Sequence, residues 1–409
     1  MVCSTDFRHA MHPALPSPRT ILFRLHWALG LTAGLVLALM GVTGALMSYE
    51  EAITAFADRD RAIVAVGDRP PLGPEALVAR IEAQRPGLTV TALVLADDPG
   101  TSVSARFLRD PASGARPAAV YVDPQDGTVL GPSRLDPAFA TVRALHRWLL
   151  IPGDGRGWGR TITGACALAL LLFLATGLYL RWPRIHRWRI WLRPSLSRPG
   201  RPRWWSLHAV AGTWLLPVYL VIALSGLTWS YGWFKDGATW LLTGPAHKAA
   251  EARPPRGGRK RPEAADRTPA PPALDRAWAA FRAGEGREAV RAVLTLPGPD
   301  AKAIRIRWLA RGAEQPKARN EATFDAATGA LLTAARDADK SLGQRIADNM
   351  LEVHRGRFFG DVFAMIFCLA ALAMPGFAAT GLVLYVLRRR AGRRRAAAAA
   401  PRPVVVAGE

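Results

Sequence analysis

An apolar stretch occurs twice in this chain, and each copy carries a histidine at the same position. Leu25-His26-Trp27 aligns with Leu207-His208-Ala209 at an offset of 182 residues (208 − 26). The same offset places four further identical pairs in register: Gly30 with Gly212, Gly44 with Gly226, Ser48 with Ser230 and Tyr49 with Tyr231. An ionisable side chain at the end of a membrane helix is costly, so these histidines are candidates for a functional role.

A second pair of histidines is also duplicated. His146-Arg147 precedes Ala175-Thr176-Gly177-Leu178, and His354-Arg355 precedes Ala379-Thr380-Gly381-Leu382. The other histidines lie in polar stretches without a matched partner and are expected at a solvated surface: His9, His12, His186 and His247.

Four apolar segments are long enough to cross about 30 Å of hydrocarbon as helices. They cover residues 22–48, 160–180, 206–231 and 361–387. We interpret the first as an uncleaved anchor, because its apolar run is longer than a signal-peptide core and lacks a clear cleavage site. Basic residues concentrate beside the spans, so the positive-inside rule predicts that residues 1–21, 181–205 and 388–409 are cytoplasmic. The sequence therefore predicts a multi-pass membrane protein.

The formal net charge of +22 could indicate a nucleic-acid partner. The basic residues adjoin apolar segments, however, and no recognition motif for nucleic acid is present, so we expect them to meet membrane lipid. Cys3, Cys166 and Cys368 provide no cysteine pair outside the predicted membrane region, which excludes disulfides and Cys-ligated zinc or iron–sulfur sites there.

The regions between the spans, 49–159 and 232–360, are predicted to be periplasmic and resemble each other. Each begins with a helical pattern (Glu75–Gln84, Leu274–Arg282), continues into β-rich stretches (Thr89–Leu95 and Ser102–Phe107, Ala289–Leu296 and Ile304–Trp308) and closes with a hairpin phrase (Tyr121–Leu130, Thr323–Leu332). Each is thus predicted to be a small α+β module, a helix packed on an antiparallel sheet.

Amphipathic helices at Pro137–Leu150 and Lys340–His354 are predicted to lead from the modules back to the membrane. Residues 245–272 and the tail after Arg395 are expected to be disordered. The fold class is therefore an α-helical membrane protein with four transmembrane helices, in two span–module–span repeats.

Three interpretations of the histidines compete. A single interfacial histidine is more often a hydrogen-bonding side chain than a ligand, although duplication at matched positions weakens that interpretation. A closed zinc site would need a further ligand, for which Glu352 near His354 is the candidate. Haem held between two imidazoles has both axial positions filled, so its iron would carry electrons rather than bind oxygen.

Local sequence favours haem. Gly30 lies one turn beyond its histidine and Gly212 occupies the same place in the second copy. Such small residues let a flat macrocycle approach the backbone, although they also serve helix–helix packing. Arg147 and Arg355 follow the other histidines and could pair with haem propionates or with lipid phosphates. No Cys-x-x-Cys-His phrase exists, so the expected cofactor is haem b, bound without a covalent link.

These phrases resemble the PepSY-associated transmembrane family over about residues 20–390. The resemblance is carried by Leu25-His26-Trp27-x-x-Gly30, Leu207-His208-x-x-x-Gly212, Leu145-His146-Arg147 and His354-Arg355, with Thr-Gly-Leu in spans two and four. The two hairpin phrases resemble the end of a PepSY module. One departure is the extra stretch Pro152–Gly155, which places His146 31 residues before Gly177 (177 − 146), against 27 between His354 and Gly381 (381 − 354).

The family includes inner-membrane ferric-siderophore reductases that carry two b haems. The resemblance implies two TM–PepSY–TM repeats, with His26 and His208 at an inner haem and His146 and His354 at an outer haem. A cytoplasmic or quinol donor would supply electrons, and a ferric siderophore or other ferric chelate would be reduced in the periplasm. No Rossmann fingerprint or P-loop is present, so direct NAD(P)H binding is not expected.

A different class of function remains open. PepSY modules are associated with peptidase inhibition, so the modules could bind or regulate a peptidase or another partner while the spans serve as anchors. Visible spectroscopy separates the two, because an anchor would show no haem absorption.

Overall fold

The computed structural model describes residues 16–68, 70–109, 117–153, 155–182, 187–245, 272–298, 301–313 and 320–399. Its helices are α1 (Pro18–Ser48), α2 (Glu50–Ala57), α3 (Arg59–Ala62), α4 (Pro74–Gln84), α5 (Asp136–Trp148), α6 (Trp158–Arg181), α7 (Trp188–Leu192), α8 (Arg201–Ser230), α9 (Gly232–Thr243), α10 (Leu274–Ala283), α11 (Leu342–Asp348), α12 (Met350–His354) and α13 (Asp361–Ala399). Its strands are β1 (Val90–Ala96), β2 (Val103–Phe107), β3 (Val120–Val122), β4 (Val129–Pro132), β5 (Ala289–Thr295), β6 (Ala303–Ala310), β7 (Asn320–Asp325) and β8 (Leu331–Ala335).

Four of these helices, α1, α6, α8 and α13, are long and apolar enough to cross a membrane. They contain the four segments predicted from hydropathy, except that the third helix ends at Ser230, one residue before the predicted end of its segment. The last helix extends beyond its predicted end, through the arginines that follow residue 387, and is described as far as Ala399. Disorder was expected directly after Arg395, but residues 396–399 are helical. All four are alanine, the residue with the highest helix propensity, which explains why the helix continues.

The strands of the two modules form one antiparallel sheet of eight strands, in the order β4-β3-β2-β1-β5-β6-β7-β8. Separate sheets were predicted, but β1 and β5 pair directly and join them. The register places Val94, the fifth residue of β1, opposite Val293, the fifth residue of β5. An approximate two-fold axis therefore passes between these two valines.

One face of this sheet packs against α4 and α10. Both helices contribute fully buried side chains, Ile81 and Phe281 among them, to a single core shared with alternate residues of the strands. Leu93 of β1 and Leu294 of β5 lie opposite each other in that core. Each such side chain contributes about 1.5–3 kcal/mol through its removal from water.

Two segments lead from the sheet to the spans that follow it. The first is the continuous helix α5, as predicted. The second was predicted as one helix over Lys340–His354, but it is divided into α11 and α12 at Asn349. A capping box of Ser341 and Gln344 starts α11. Asn349 then leaves the helical conformation, with φ −109° and ψ 29°.

The chain divides into two compact units. The first comprises residues 1–39, 165–223 and 373–409, and the second comprises residues 40–164 and 224–372. The predicted disordered linker falls almost wholly on residues 246–271, which lie outside the described residues, as do residues 400–409.

Candidate functional site

Two of the four candidate histidines lie side by side in the first unit. His26 is in the third turn of α1 and His208 in the second turn of α8. Their ring centres are 6.4 Å apart and the ring planes are inclined by 75°. The structure therefore brings together the pair that was predicted to share one haem.

A threonine hydroxyl holds Nδ1 of each of these rings. Thr176 Oγ1 on α6 lies 2.8 Å from Nδ1 of His26. Thr380 Oγ1 on α13 lies 2.7 Å from Nδ1 of His208. Each imidazole is thus anchored by a helix other than its own. The Nε2 atom takes no part in this hydrogen bond, which uses Nδ1.

A phenylalanine packs against each ring from the same helix as the threonine. Phe173 meets His26 edge to face at 5.3 Å, and Phe377 meets His208 in the same way at 5.2 Å. Phenylalanine and threonine are three residues apart in both cases, so they lie on one helix face. The motif Phe-x-x-Thr therefore forms a matched clamp on both rings.

None of the three glycines near these histidines is crowded by a neighbouring atom. An added Cβ at Gly30 would meet no atom within 4 Å, and at Gly212 it would meet only Phe377, at 3.7 Å. Gly177, by contrast, lies against His26, whose Cε1 would be 3.6 Å from such a Cβ. Open space therefore adjoins Gly30, whereas Gly212 and Gly177 have ordinary van der Waals neighbours.

The spacing of the two rings fits a shared metal. A metal–imidazole bond of about 2.0 Å and about 1.1 Å from nitrogen to ring centre on each side give centres about 6.2 Å apart, against the 6.4 Å observed. The donor set, two neutral imidazoles without a thiolate or carboxylate, suits a haem iron with both axial positions filled. The residues present therefore fit the group that the resemblance implies.

His146 lies in the second unit, in the last turn of α5, against α1. Its Nδ1 is 3.0 Å from Thr43 Oγ1, and its Cε1 lies 3.2 Å from the position of a Cβ at Gly44. Burial lowers the pKa of His146 to about 4. The imidazole is thus neutral near pH 7, which is the form that binds a metal.

His354, at the end of α12, has the same kind of surroundings against α8. Its Nδ1 is 2.8 Å from Ser225 Oγ, its Cε1 is 3.5 Å from the position of a Cβ at Gly226, and its ring meets Trp229 edge to face at 5.4 Å. Both candidate histidines of the second unit, His146 and His354, therefore rest on a hydroxyl-Gly pair of a long helix.

Glu50 connects the segments that carry these two histidines. Its carboxylate binds Arg143, one turn before His146 on α5, and lies 4.0 Å from the guanidinium of Arg355. Arg355 is largely buried, with 13% of its side chain exposed. Arg147 is exposed and stacks over Trp148, with its guanidinium carbon 4.9 Å from the ring centre. Of the two arginines predicted to meet haem propionates, only Arg355 is thus enclosed.

Sequence analysis missed the side chains that hold the rings. Thr43 and Ser225 are separated by the same 182 residues (225 − 43) as the first histidine pair, and Thr176 and Thr380 belong to the duplicated Ala-Thr-Gly-Leu phrase. Phe173 and Phe377 share the offset of those threonines (377 − 173 = 204 and 380 − 176 = 204). The duplication therefore contained the signal.

His9, His12, His186 and His247 lie outside the described residues. Within the described part of the chain, no group of three or more His, Cys, Asp or Glu side chains is arranged to hold a metal ion.

Four helices of spanning length and histidines held between them define a multi-pass membrane protein. A family model for the PepSY-associated TM region matches residues 23–388, and the chain belongs to that family. A search of curated proteins gives no match.

Proposed function

We propose that this protein is a b-type di-haem electron conduit of the bacterial inner membrane, which reduces ferric iron held by a siderophore or another chelate in the periplasm. The observation that carries the proposal is the pair His26 and His208, whose ring centres are 6.4 Å apart. Each ring has its Nδ1 on a hydroxyl and its Nε2 left for another bond.

The proposed architecture is two TM–PepSY–TM repeats with cytoplasmic termini and a periplasmic sheet. Two observations support the division into two repeats. The pairing of Val94 with Val293 relates the halves of the sheet by a two-fold axis. The hydroxyls that hold the rings also occur at equivalent positions in the two halves of the sequence.

In this proposal the chain's own residues bind and orient two cofactors. His26 and His208 would hold the inner one, and His146 and His354 would hold the outer one. Haem so held supplies one-electron transfer, with no open position for oxygen. Gly30 leaves room at the inner site, and the enclosed guanidinium of Arg355 supplies positive charge for a propionate at the outer site.

The substrate chemistry requires one electron and no proton transfer. Hard oxygen donors of a siderophore hold Fe(III) far more tightly than Fe(II), so reduction by one electron releases the metal. The electron would come from a quinol or a flavin-type donor, which is oxidised in turn. No catalytic acid or base is needed.

The first test is the visible spectrum of the purified protein. Two b haems per chain are expected, with about half lost in each of His26→Ala, His208→Ala, His146→Ala and His354→Ala. Double variants within a pair should lose no more than either single variant, whereas doubles across pairs should lose all haem. His186→Ala, a histidine without a matched partner, is the control and should keep both haems. If the wild type shows no Soret band, the haem proposal is wrong, and the alternative function, a PepSY protein that binds a peptidase, is favoured.

The second test is reduction of a ferric chelate. Dithionite-reduced protein should be reoxidised by a ferric siderophore, and Fe(II) should be captured by ferrozine in equal amount to the electrons lost. If the haem stays reduced in the presence of several ferric chelates, the proposed reductase activity is wrong, whereas the proposed electron conduit is not contradicted.

A further inference from the structure

We propose that Thr176 and Thr380 are positioning residues that fix the Nδ1–H tautomer of His26 and His208 and thereby set the strength of both axial ligands. The proposal rests on the proposed function and adds to it two residues that bind neither haem nor substrate. It follows from the hydrogen bond in which each threonine uses its single hydroxyl proton.

A threonine hydroxyl has one proton to donate and lone pairs to accept with. Thr176 Oγ1 lies 2.6 Å from the carbonyl oxygen of Leu172, four residues earlier on its own helix. Thr380 Oγ1 lies 2.8 Å from that of Gly376. A carbonyl oxygen can only accept, so each hydroxyl donates there.

The bond from hydroxyl to imidazole is then fixed in direction. Because its proton is committed to a carbonyl, Thr176 must accept from His26, and Nδ1 of that ring must carry a proton. The same holds for Thr380 and His208. A neutral imidazole protonated at Nδ1 has its lone pair on Nε2, which is the atom left for iron.

The nature of the acceptor determines ligand strength. A histidine that donates its free N–H to an acceptor becomes a more basic ligand, and partners of this kind typically change metal affinity by about 10–100-fold when removed. A hydroxyl is neutral, so it orients the ring without the stronger pull of a carboxylate. The phenylalanines of the Phe-x-x-Thr clamp pack against the imidazole rings and restrict their rotation.

The second unit repeats this arrangement at His146. Thr43 Oγ1 lies 3.1 Å from the carbonyl oxygen of Met40 and 3.0 Å from the histidine Nδ1. Ser225 Oγ has the corresponding place beside His354. A hydroxyl thus lies at Nδ1 of each of the four candidate histidines.

The test compares Thr176→Val, which keeps the shape and removes the hydroxyl, with Thr176→Ser, which keeps the hydroxyl. Thr32→Val is the matched control, because Thr32 bonds only to carbonyls of its own helix, those of Ala28 and Leu29. Haem loss is followed by transfer to apomyoglobin, and the inner haem by its low-spin EPR signal and midpoint potential.

Thr176→Val should release the inner haem about 10–100-fold faster, shift its EPR signal and raise its midpoint potential, because the axial ligand becomes less basic. Thr176→Ser and Thr32→Val should behave as wild type. Equal behaviour of the valine and serine variants, in a wild type that binds two haems, would overturn the positioning role and leave the proposed function intact.

Ring ¹⁵N spectra of histidine-labelled, haem-free full-length protein give a readout that does not need the cofactor. The Nδ1–H tautomer of His26 should be present in wild type and Thr176→Ser and be lost in Thr176→Val. A wild type that binds no haem but shows this pattern would refute the proposed function and retain the anchoring. An Nε2–H tautomer in wild type would refute the anchoring itself.

Discussion

Glu75 and Asp275 cap each other's helices. Asp275 accepts a hydrogen bond from the backbone amide of Glu75 at 2.9 Å, and Glu75 accepts one from the amide of Asp275 at 3.2 Å. Each residue is the second of its helix, α4 or α10. A carboxylate at a helix N-terminus satisfies a free N–H group and interacts favourably with the helix dipole.

Removal of one cap should weaken the packing of both helices. Glu75→Ala and Asp275→Ala should each lower the free energy of unfolding of the extramembrane part by about 1 kcal/mol, and Glu75→Gln by less, because it keeps an acceptor oxygen. Denaturant unfolding followed by tryptophan fluorescence measures this. The double variant should lose less than the sum; strict additivity would show that the two caps act independently.

The close approach of Gly44 to His146 predicts a site-specific loss of haem. Alanine at position 44 would place its Cβ 3.2 Å from the ring, and any shift of the ring away from it would strain the hydrogen bond to Thr43. Overpacking costs about 1–3 kcal/mol, so haem retention at the outer site should weaken by about tenfold or more.

Gly226→Ala is the matched control for this variant. Its Cβ would lie 3.5 Å from His354, an ordinary contact, so both haems should remain. The reduced-minus-oxidised spectrum gives the haem content, and the inner EPR signal should be unaffected in both variants. Full haem in Gly44→Ala would show that the ring of His146 is not held where the structure places it.

Asp58 should be among the most important single carboxylates for folding of the second unit. It is completely buried and accepts hydrogen bonds from Ser133 (2.6 Å), the amide of Arg134 (3.0 Å) and Tyr121 (3.3 Å). Asp58→Ala should cost about 3 kcal/mol or more, since several buried donors lose their acceptor. Asp60→Ala, whose side chain is 58% exposed and paired with the same arginine, should cost under about 1 kcal/mol. Similar melting temperatures for the two variants would contradict this ranking.

The proposed topology predicts which side of the membrane each end of the protein occupies. With Cys3, Cys166 and Cys368 replaced by alanine, Pro99→Cys in the turn between β1 and β2 should react with a membrane-impermeant maleimide in intact spheroplasts. Glu409→Cys should react only after permeabilisation, because arginines precede the C-terminus. The opposite labelling pattern would invert the membrane orientation and exclude a periplasmic sheet.

Hydropathy was sufficient to locate the spans, because a membrane helix must be apolar along its whole length and satisfies its backbone internally. The joining of the sheet was not predictable in the same way. Residues of β1 and β5 have the alternation of any half-buried strand, and nothing local distinguishes an edge that stays open from one that pairs with a strand about 200 residues away.

The site was predicted in part for a related reason. Duplication indicated the histidines, since an ionisable residue within an apolar segment is conspicuous. Thr176 and Thr380 attracted no such attention, because hydroxyl residues are ordinary in membrane helices, where they bond to their own backbone. Their role depends on a ring supplied by another helix, and that proximity is a tertiary fact.

The seam at Val94 and Val293 has a consequence for how such a molecule changes over time. Two surfaces of this kind on separate polypeptides would meet as an isologous dimer, in which every substitution appears twice. When both halves belong to one polypeptide, they meet at an effective concentration that is set by the segment joining them. The sequence of each half can then change without a matching change in the other. Positions 43 and 225 illustrate this, because the first half has a threonine where the second half has a serine.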